Sequence, residues 1–193
     1  MVRSSAQPRE RPRALPRAFS ERDPVEVARA LLGQLLVHQH RGVLRVGRIV
    51  ETEAYVGPQD LACHASKGRT ARTEVMFGPA HHAYVFLVYG MHHCVNVVTG
   101  HGTAVLLRAL EPLEGLAGRR TDGPGRLTAA LGITLAHNAT PLDEPPLFLA
   151  EGDLVRPRDI RRGPRIGVDY AGAWARKPLR FWLRDNRYVS ATP

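Results

Sequence analysis

Three short segments of this sequence put polar groups where an ordinary sheet would exclude them. The first is Ile49-Val50-Glu51-Thr52-Glu53-Ala54-Tyr55. Alternate side chains of an extended strand share a face, which places Glu51, Glu53 and Tyr55 with Ile49 and opposite Val50, Thr52 and Ala54. Two glutamates on one face also describe a solvated strand. The tyrosine and the Gly57-Pro58 turn favour a strand leading into a site. The second segment, Ala104-Val105-Leu106-Leu107-Arg108-Ala109-Leu110, carries one arginine among apolar residues. If internal, that strand must give Arg108 an opposite charge, and Glu53 is a candidate. If it is an edge strand, the arginine can instead reach water along its own stem. The third is Tyr84-Val85-Phe86-Leu87-Val88-Tyr89-Gly90-Met91, an aromatic stripe that suits a core or a stacking platform. Tyr89 stands apart, because a Tyr-Gly-Met turn can present a ring and a flexible apolar side chain outward. A carboxylate beside a cation stays ionised, so Glu53 suits a general base rather than an acid.

Nine histidines raise the question of a metal. His38/His40, His81/His82 and His92/His93 are spaced by one or two residues, with no His-Glu-x-x-His and no Cys-x-x-Cys partner. Neighbours on a strand point to opposite faces, so neither doublet is a natural chelate, and no metal or cofactor is expected. Cys63 and Cys94 make no disulfide framework and read as free thiols of a reducing compartment.

The elements that must hold these groups are mostly strands. Asp23-Pro24-Val25-Glu26 is a helix start, with Asp as cap, Pro in the first turn and Glu closing a capping box, and that helix should stop at Gly33. Strands are predicted at Gln34–His40, Val43–Tyr55, Ala83–Tyr89, Cys94–Thr99, Thr103–Leu110, Leu147–Ala150 and Arg180–Arg184. Short helices are predicted at Leu113–Arg120 and Gly125–Leu131, and a loop at Pro141–Pro146. The expected fold is α+β: a single compact domain, residues 18–193, with a curved, mostly antiparallel sheet and flanking helices. Residues 1–17, with five arginines, three prolines and little that is apolar, read as a disordered basic arm.

At 193 residues the chain is long enough to bury a core without staples. No apolar run approaches the ~20 residues that span a bilayer, and the N-terminus has no apolar signal region. An intracellular location is expected, in cytoplasm or nucleoid, or in the nucleus of a eukaryote. The net charge of +9 suits a polyphosphate partner. All but two of the 27 basic residues, Lys67 and Lys177, are arginine, whose planar fork matches phosphate oxygens, although a GC-rich genome also favours arginine over lysine.

Six pieces in order then form a pattern: Arg48-Ile-Val-Glu-Thr-Glu-Ala-Tyr55 with Gly57-Pro58, Ala62-x-His64, Tyr89-Gly-Met91, Asn96, Leu106-Leu-Arg-Ala-Leu-Glu-Pro-Leu-Glu-Gly115, and Trp174-Ala-Arg-Lys-Pro-Leu-Arg-Phe181. Together they closely resemble the alkyladenine (3-methyladenine) DNA glycosylases of the mammalian type, from about Phe19 to Val189. The resemblance implies a monomeric, monofunctional enzyme of DNA base-excision repair. Such an enzyme flips an alkylated or deaminated purine out of double-stranded DNA and hydrolyses its N-glycosidic bond.

Carried over by position, Glu53 matches the catalytic glutamate and Arg108 the arginine that helps hold the attacking water. Tyr55 and His64 match residues that stack on and hydrogen-bond the flipped base. Tyr89, with Met91 beside it, matches the side chain inserted into the duplex. Asn96 matches the asparagine that confronts the 2-amino group of guanine. Gly167-Val168 falls in the segment whose backbone helps bind the water. Phe86 stands where the family often has a pocket tyrosine, keeping the ring and losing a hydroxyl. His92 and His93 replace aromatic residues, and the loop before Arg72 lacks a proline frequent in the family. Arg69, Thr70, Arg72, Arg176 and Lys177 are candidate contacts to the DNA backbone. No lysine is matched to the chemistry, so no Schiff-base lyase step is expected. Two rival classes remain: a damaged-DNA binding module, against which the intact Glu53 and Arg108 argue, and a metal-dependent hydrolase using the histidines.

Overall fold

A computed structural model describes residues 12–190. One long strand organises it. β2 (Val43–Tyr55) pairs along one edge first with β1 (Leu35–His40) and then with β8 (Arg180–Leu183), and along its other edge with β5 (Thr103–Glu114). The sheet runs β3 (Ala83–Val88), β4 (His92–Gly100), β5, β2, β1, β6 (Leu147–Ala150), with β7 (Ile160–Gly163) on the outer side of β8. Every pairing is antiparallel, and the curled sheet with its flanking helices is the expected α+β arrangement.

α1 (Pro24–Ala30) begins as its sequence requires: the Asp23 carboxylate accepts the backbone N–H groups of Val25 at 2.8 Å and Glu26 at 3.3 Å. The chain turns away by Gly33, whose φ of +89° and close approach to the Asp153 carbonyl leave no room for a Cβ. α2 (Pro124–Leu131) packs Leu127 and Leu131 into the same core as Val27, Leu31, Leu107 and Leu110. This apolar layer fills one side of the sheet and forms the rigid backing for the charged groups on the other.

Four expectations need correcting. Leu113–Arg120 is not a helix: β5 continues to Glu114, held by pairing of Pro112 with Gly47 and Glu114 with Val46, and a left-handed Gly115 ends it. Tertiary pairing overrides local helix preference there. β7 was missed because Ile-Arg-Arg-Gly lacks the apolar alternation of a half-buried strand. Ile49 does not share a face with Glu51. The β2–β5 register shifts between Ile49 and Glu51, so Ile49 joins Ala54 in the core while Glu51 and Glu53 face the other way.

Order also begins before residue 18, the expected start of the domain. Ala14 bridges Ala150, the Leu15 N–H donates to the Leu149 carbonyl, and the Leu15 side chain is buried in the main core. The first eleven residues of the expected basic arm lie outside the described residues.

Candidate functional site

The face opposite the apolar layer carries a buried ionic cluster beneath a cavity. Glu51 and Glu53 are both fully buried, and Arg108 reaches them from the adjacent strand. The Arg108 Nε donates to Glu51 Oε1 at 3.1 Å, while its Nη1 lies 3.2 Å from Glu53 Oε1. The predicted partner of Arg108 is therefore present, and a second carboxylate shares it. Burial works against the Arg108 charge, but Glu53 and Glu51 more than offset it and raise its pKa above the usual guanidinium value.

Glu53 is held on both oxygens. Oε1 accepts the Ile166 backbone N–H at 2.8 Å, and Oε2 accepts the Tyr55 hydroxyl at 2.9 Å. Burial first, and then the neighbouring Glu53 charge, push the Tyr55 phenol well above its ordinary range, so it remains a donor. The ring of Tyr55 has the Arg165 guanidinium 4.7 Å from its centroid. Arg165 is itself fixed by Asp60, with Nη2 2.8 Å from Oδ1, and by the Ala54 carbonyl. Sequence reasoning missed Asp60 and Arg165. Asp60 follows a Gly-Pro turn and Arg165 lies in an irregular segment, where neither periodicity nor a lone charge marks them.

Above this cluster opens a cavity of about 360 Å³, within the range of small-ligand sites. Tyr55, His64, Phe86, Asn96, Tyr89 and Arg108 all border it, as do Ile166, Gly167 and Val168. All four expected pocket residues thus line the cavity, whereas the expected catalytic Glu53 lies beneath its wall and Met91 does not border it. His64 sits edge-on to the Phe86 ring at 4.5 Å, and its Nδ1 is 2.9 Å from the Tyr84 hydroxyl. Burial, reinforced by the Arg72 charge, lowers the His64 pKa to about 4, so the imidazole is neutral at physiological pH. Tyr84, named above only within the aromatic stripe, also lines the pocket, and Asn96 donates from its amide to the Tyr84 carbonyl at 3.0 Å.

At the mouth, Tyr89 and Met91 flank Gly90 and are 88% and 72% exposed. Tyr89 has a φ of +52°, a conformation that ordinary side chains adopt at a cost. This left-handed pair throws the ring outward instead of continuing β3. Of the basic candidates, Arg72 is tied to this end through Leu87 and Phe86. Arg69 is exposed, paired with Glu74 at 3.2 Å and stacked over Phe77. Arg72 donates to the Leu87 carbonyl and lies over Phe86. The Thr70 hydroxyl is tied to that of Thr73 at 3.0 Å, which shapes the loop. Arg176 is exposed, and Lys177 places its Nζ 3.3 Å from the Trp174 ring centroid.

The remaining histidines and cysteines have other occupations. His81 is buried between the Ser20 hydroxyl and the Leu142 carbonyl, and His38 between the Leu131 carbonyl and His137. Among the described residues, no three His, Cys, Asp or Glu side chains are grouped to hold a metal ion. Cys63 and Cys94 are free and buried, which pushes each thiol up to about 11. No described helix is long and apolar enough to cross a membrane.

Comparison with known proteins covers nearly all of this architecture. Residues 18–187 match the family model described as methylpurine-DNA glycosylase. A protein of Myxococcus xanthus (strain DK1622) named "Putative 3-methyladenine DNA glycosylase" is 62% identical over 183 residues, 93% of this chain and 94% of that one. Proteins of the same name from Legionella pneumophila (strain Corby) and Anaeromyxobacter sp. (strain Fw109-5) are 51% and 52% identical. Each of these two alignments covers 93% of this chain, with 100% of the first protein and 93% of the second.

Proposed function

This chain belongs to the methylpurine-DNA glycosylase family, and on that premise we propose that it draws a damaged purine from duplex DNA into the cavity above Glu53 and hydrolyses its glycosidic bond. The observation that carries the reading is the Glu53–Arg108 pair, buried directly beneath an aromatic-walled cavity with an exposed Tyr-Gly-Met turn at its mouth.

Extrusion of a base costs a few kcal/mol of stacking and pairing, less where damage has already weakened the pair. Tyr89 and Met91 fill the gap left in the helix, as apolar wedges do in other bent duplexes. In the cavity the purine meets the Tyr55 ring and the His64–Phe86 wall, and base–aromatic stacking is worth about 1–3 kcal/mol. Asn96 borders the pocket where an exocyclic amino group can be refused. His64 Nδ1 shares a hydrogen bond with the Tyr84 hydroxyl, and in the tautomer in which that hydroxyl is the donor the Nε2–H is left as a donor toward the base.

The chemistry then falls to Glu53. Its Oε1 is committed to Ile166 and Arg108, so Oε2 takes up the water once the Tyr55 hydroxyl turns away. Water attacks the anomeric carbon as the carbon–nitrogen bond breaks. The bonding pair leaves with the base, and Glu53 accepts the water's proton. Its negative charge also stabilises the oxocarbenium-like sugar. A cationic base such as 3-methyladenine or 7-methylguanine leaves as a neutral base without being protonated, whereas hypoxanthine and ethenoadenine need more help from donors in the pocket. Lys67 and Lys177 are exposed and neither borders the cavity, which supports hydrolysis without a lyase step.

The test is release of these four bases from lesion-bearing duplexes by the purified monomer, read as abasic sites. Glu53→Gln should slow release by about 10³-fold while lesion-duplex affinity stays within a few-fold. Turnover within tenfold of the parent would reject Glu53 as the base.

A further inference from the structure

Glu51 lies two residues before Glu53 on the same face of β2, is fully buried, and does not border the cavity above Glu53. Resting on the reading of Glu53 and Arg108 just given, we propose that Glu51 is a positioning residue. It fixes the rotation of the Arg108 guanidinium and ties the catalytic pair to the C-terminal segment at Ser190.

Four donors converge on this carboxylate. Its Oε1 accepts Arg108 Nε at 3.1 Å, Arg180 Nε at 2.6 Å and the Ser190 hydroxyl at 2.9 Å, and its Oε2 accepts the Ser190 N–H at 2.7 Å. Three of these contacts fall on Oε1 and one on Oε2, so both oxygens are held and the carboxylate has a fixed orientation. The Arg108 Nη2 in turn reaches Ser190 Oγ at 3.4 Å. One edge of the guanidinium is thus pinned by Glu51 and Ser190, and the Nη1 left over is the nitrogen facing Glu53.

Without that edge, Arg108 could rotate and still satisfy its charge on Glu53, but with a different nitrogen and a different direction. A shift of about 1 Å in a reacting group can cost 10²-fold in rate. Stability alone does not account for the arrangement, because buried ion clusters can often be replaced by apolar packing without loss. The four charges of Glu51, Glu53, Arg108 and Arg180 also balance, so removing Glu51 alone leaves an excess buried cation.

The excess cation dictates the experiment. Single-turnover base release, lesion-duplex affinity and melting temperature are measured for Glu51→Gln, Arg180→Gln, the Glu51→Gln/Arg180→Gln double variant and Glu53→Gln. The double variant restores charge balance and guards against simple failure to fold. It should melt near the parent and bind the lesion duplex within about threefold, yet release base about 10²-fold more slowly. Arg180→Gln alone should stay within about fivefold of the parent rate. Parent-like release by the double variant would reduce Glu51 to a counterion for Arg180 and overturn the proposal. A rate as slow in Arg180→Gln alone would also overturn it, by assigning the loss to the network's charge. Glu53→Gln separates the two readings. If it retains turnover, the underlying assignment of the site fails; if it is dead while the Glu51 variants are fast, only the positioning role fails.

Discussion

His64 combines a ring exposed to the cavity with surroundings that refuse its charge. Burial is the larger influence and the Arg72 cation adds to it, lowering the pKa from the ordinary histidine value of 6.5 to about 4. The unfolded chain takes up this proton first as pH falls, so the contribution of neutral His64 to stability is complete above about 6.5. It is lost progressively between about 6.5 and 4. The ring should therefore show an NMR titration midpoint near 4, and base release should have no inflection near 6.5 that His64→Gln removes. A His64 midpoint near 6.5 would show a solvated imidazole and contradict its role as a neutral donor. At this scale the sequence was legible where a residue violated its surroundings. A single arginine in an apolar strand demanded a carboxylate, and Glu53 is one of the two it found. Glu51 was visible as a type and a spacing, but its function depends on Arg180 and Ser190, 129 and 139 positions away, which no local pattern connects. Asp60 and Arg165 were hidden for the same reason, 105 residues apart within irregular segments.

Elements place these side chains, and two of them make sharp predictions. The β3–β4 connection sets Tyr89 outside the sheet, with left-handed backbone at both Tyr89 and Gly90. Because the ring is 88% exposed, Tyr89→Ala should leave the melting temperature unchanged. It should slow release from duplex DNA by about 10–100-fold, since the wedge offsets part of a few-kcal/mol unstacking cost, and leave single-stranded substrates within about threefold. Equal losses on both substrates with a lowered melting temperature would make it a structural tyrosine. The second prediction concerns the N-terminal edge, where Leu15 pairs with Leu149 and buries its side chain. Leu15→Ala should cost about 2–4 kcal/mol in urea unfolding, and deletion of residues 1–17 at least as much. An unchanged midpoint would remove Leu15 from the core. Helix caps and alternating strands were legible because their signals are local. Leu15 was not, because one leucine among arginines and prolines carries no periodicity. The β2 bulge was equally silent: one extra residue turns Ile49 from the glutamate face to the core, and only pairing with β5 reveals it.

Across the whole molecule, the net charge of +9 and the position of the cavity bear on one question, namely how the proposed reading of a single base is combined with a hold on the DNA around it. The loop carrying Arg69 and Arg72 and the segment carrying Arg176 and Lys177 are remote in sequence. Each sends residues to the same cavity wall, His64 from the first side and Val168 and Tyr170 from the second. Phosphates on either side of an extruded nucleotide would then meet cations from both segments. Each true phosphate contact removed by alanine should flatten the plot of log K against log salt by about 0.9. The four residues are not equivalent. Arg176 is exposed and Lys177 rests on Trp174, so their loss should give close to the full change in slope. Arg69 already shares its charge with Glu74, and its removal also unmasks that carboxylate. Arg69→Ala should therefore weaken affinity at low salt by more than its change in slope implies, whereas Arg69→Ala/Glu74→Ala should recover part of the loss. Arg72 is bonded to Leu87 and stacked on Phe86, so Arg72→Ala should alter base release as well as salt dependence. Titrations of a lesion duplex over a range of salt concentrations measure all of these together. Parent slopes in all four single variants would place the duplex on another face of the protein.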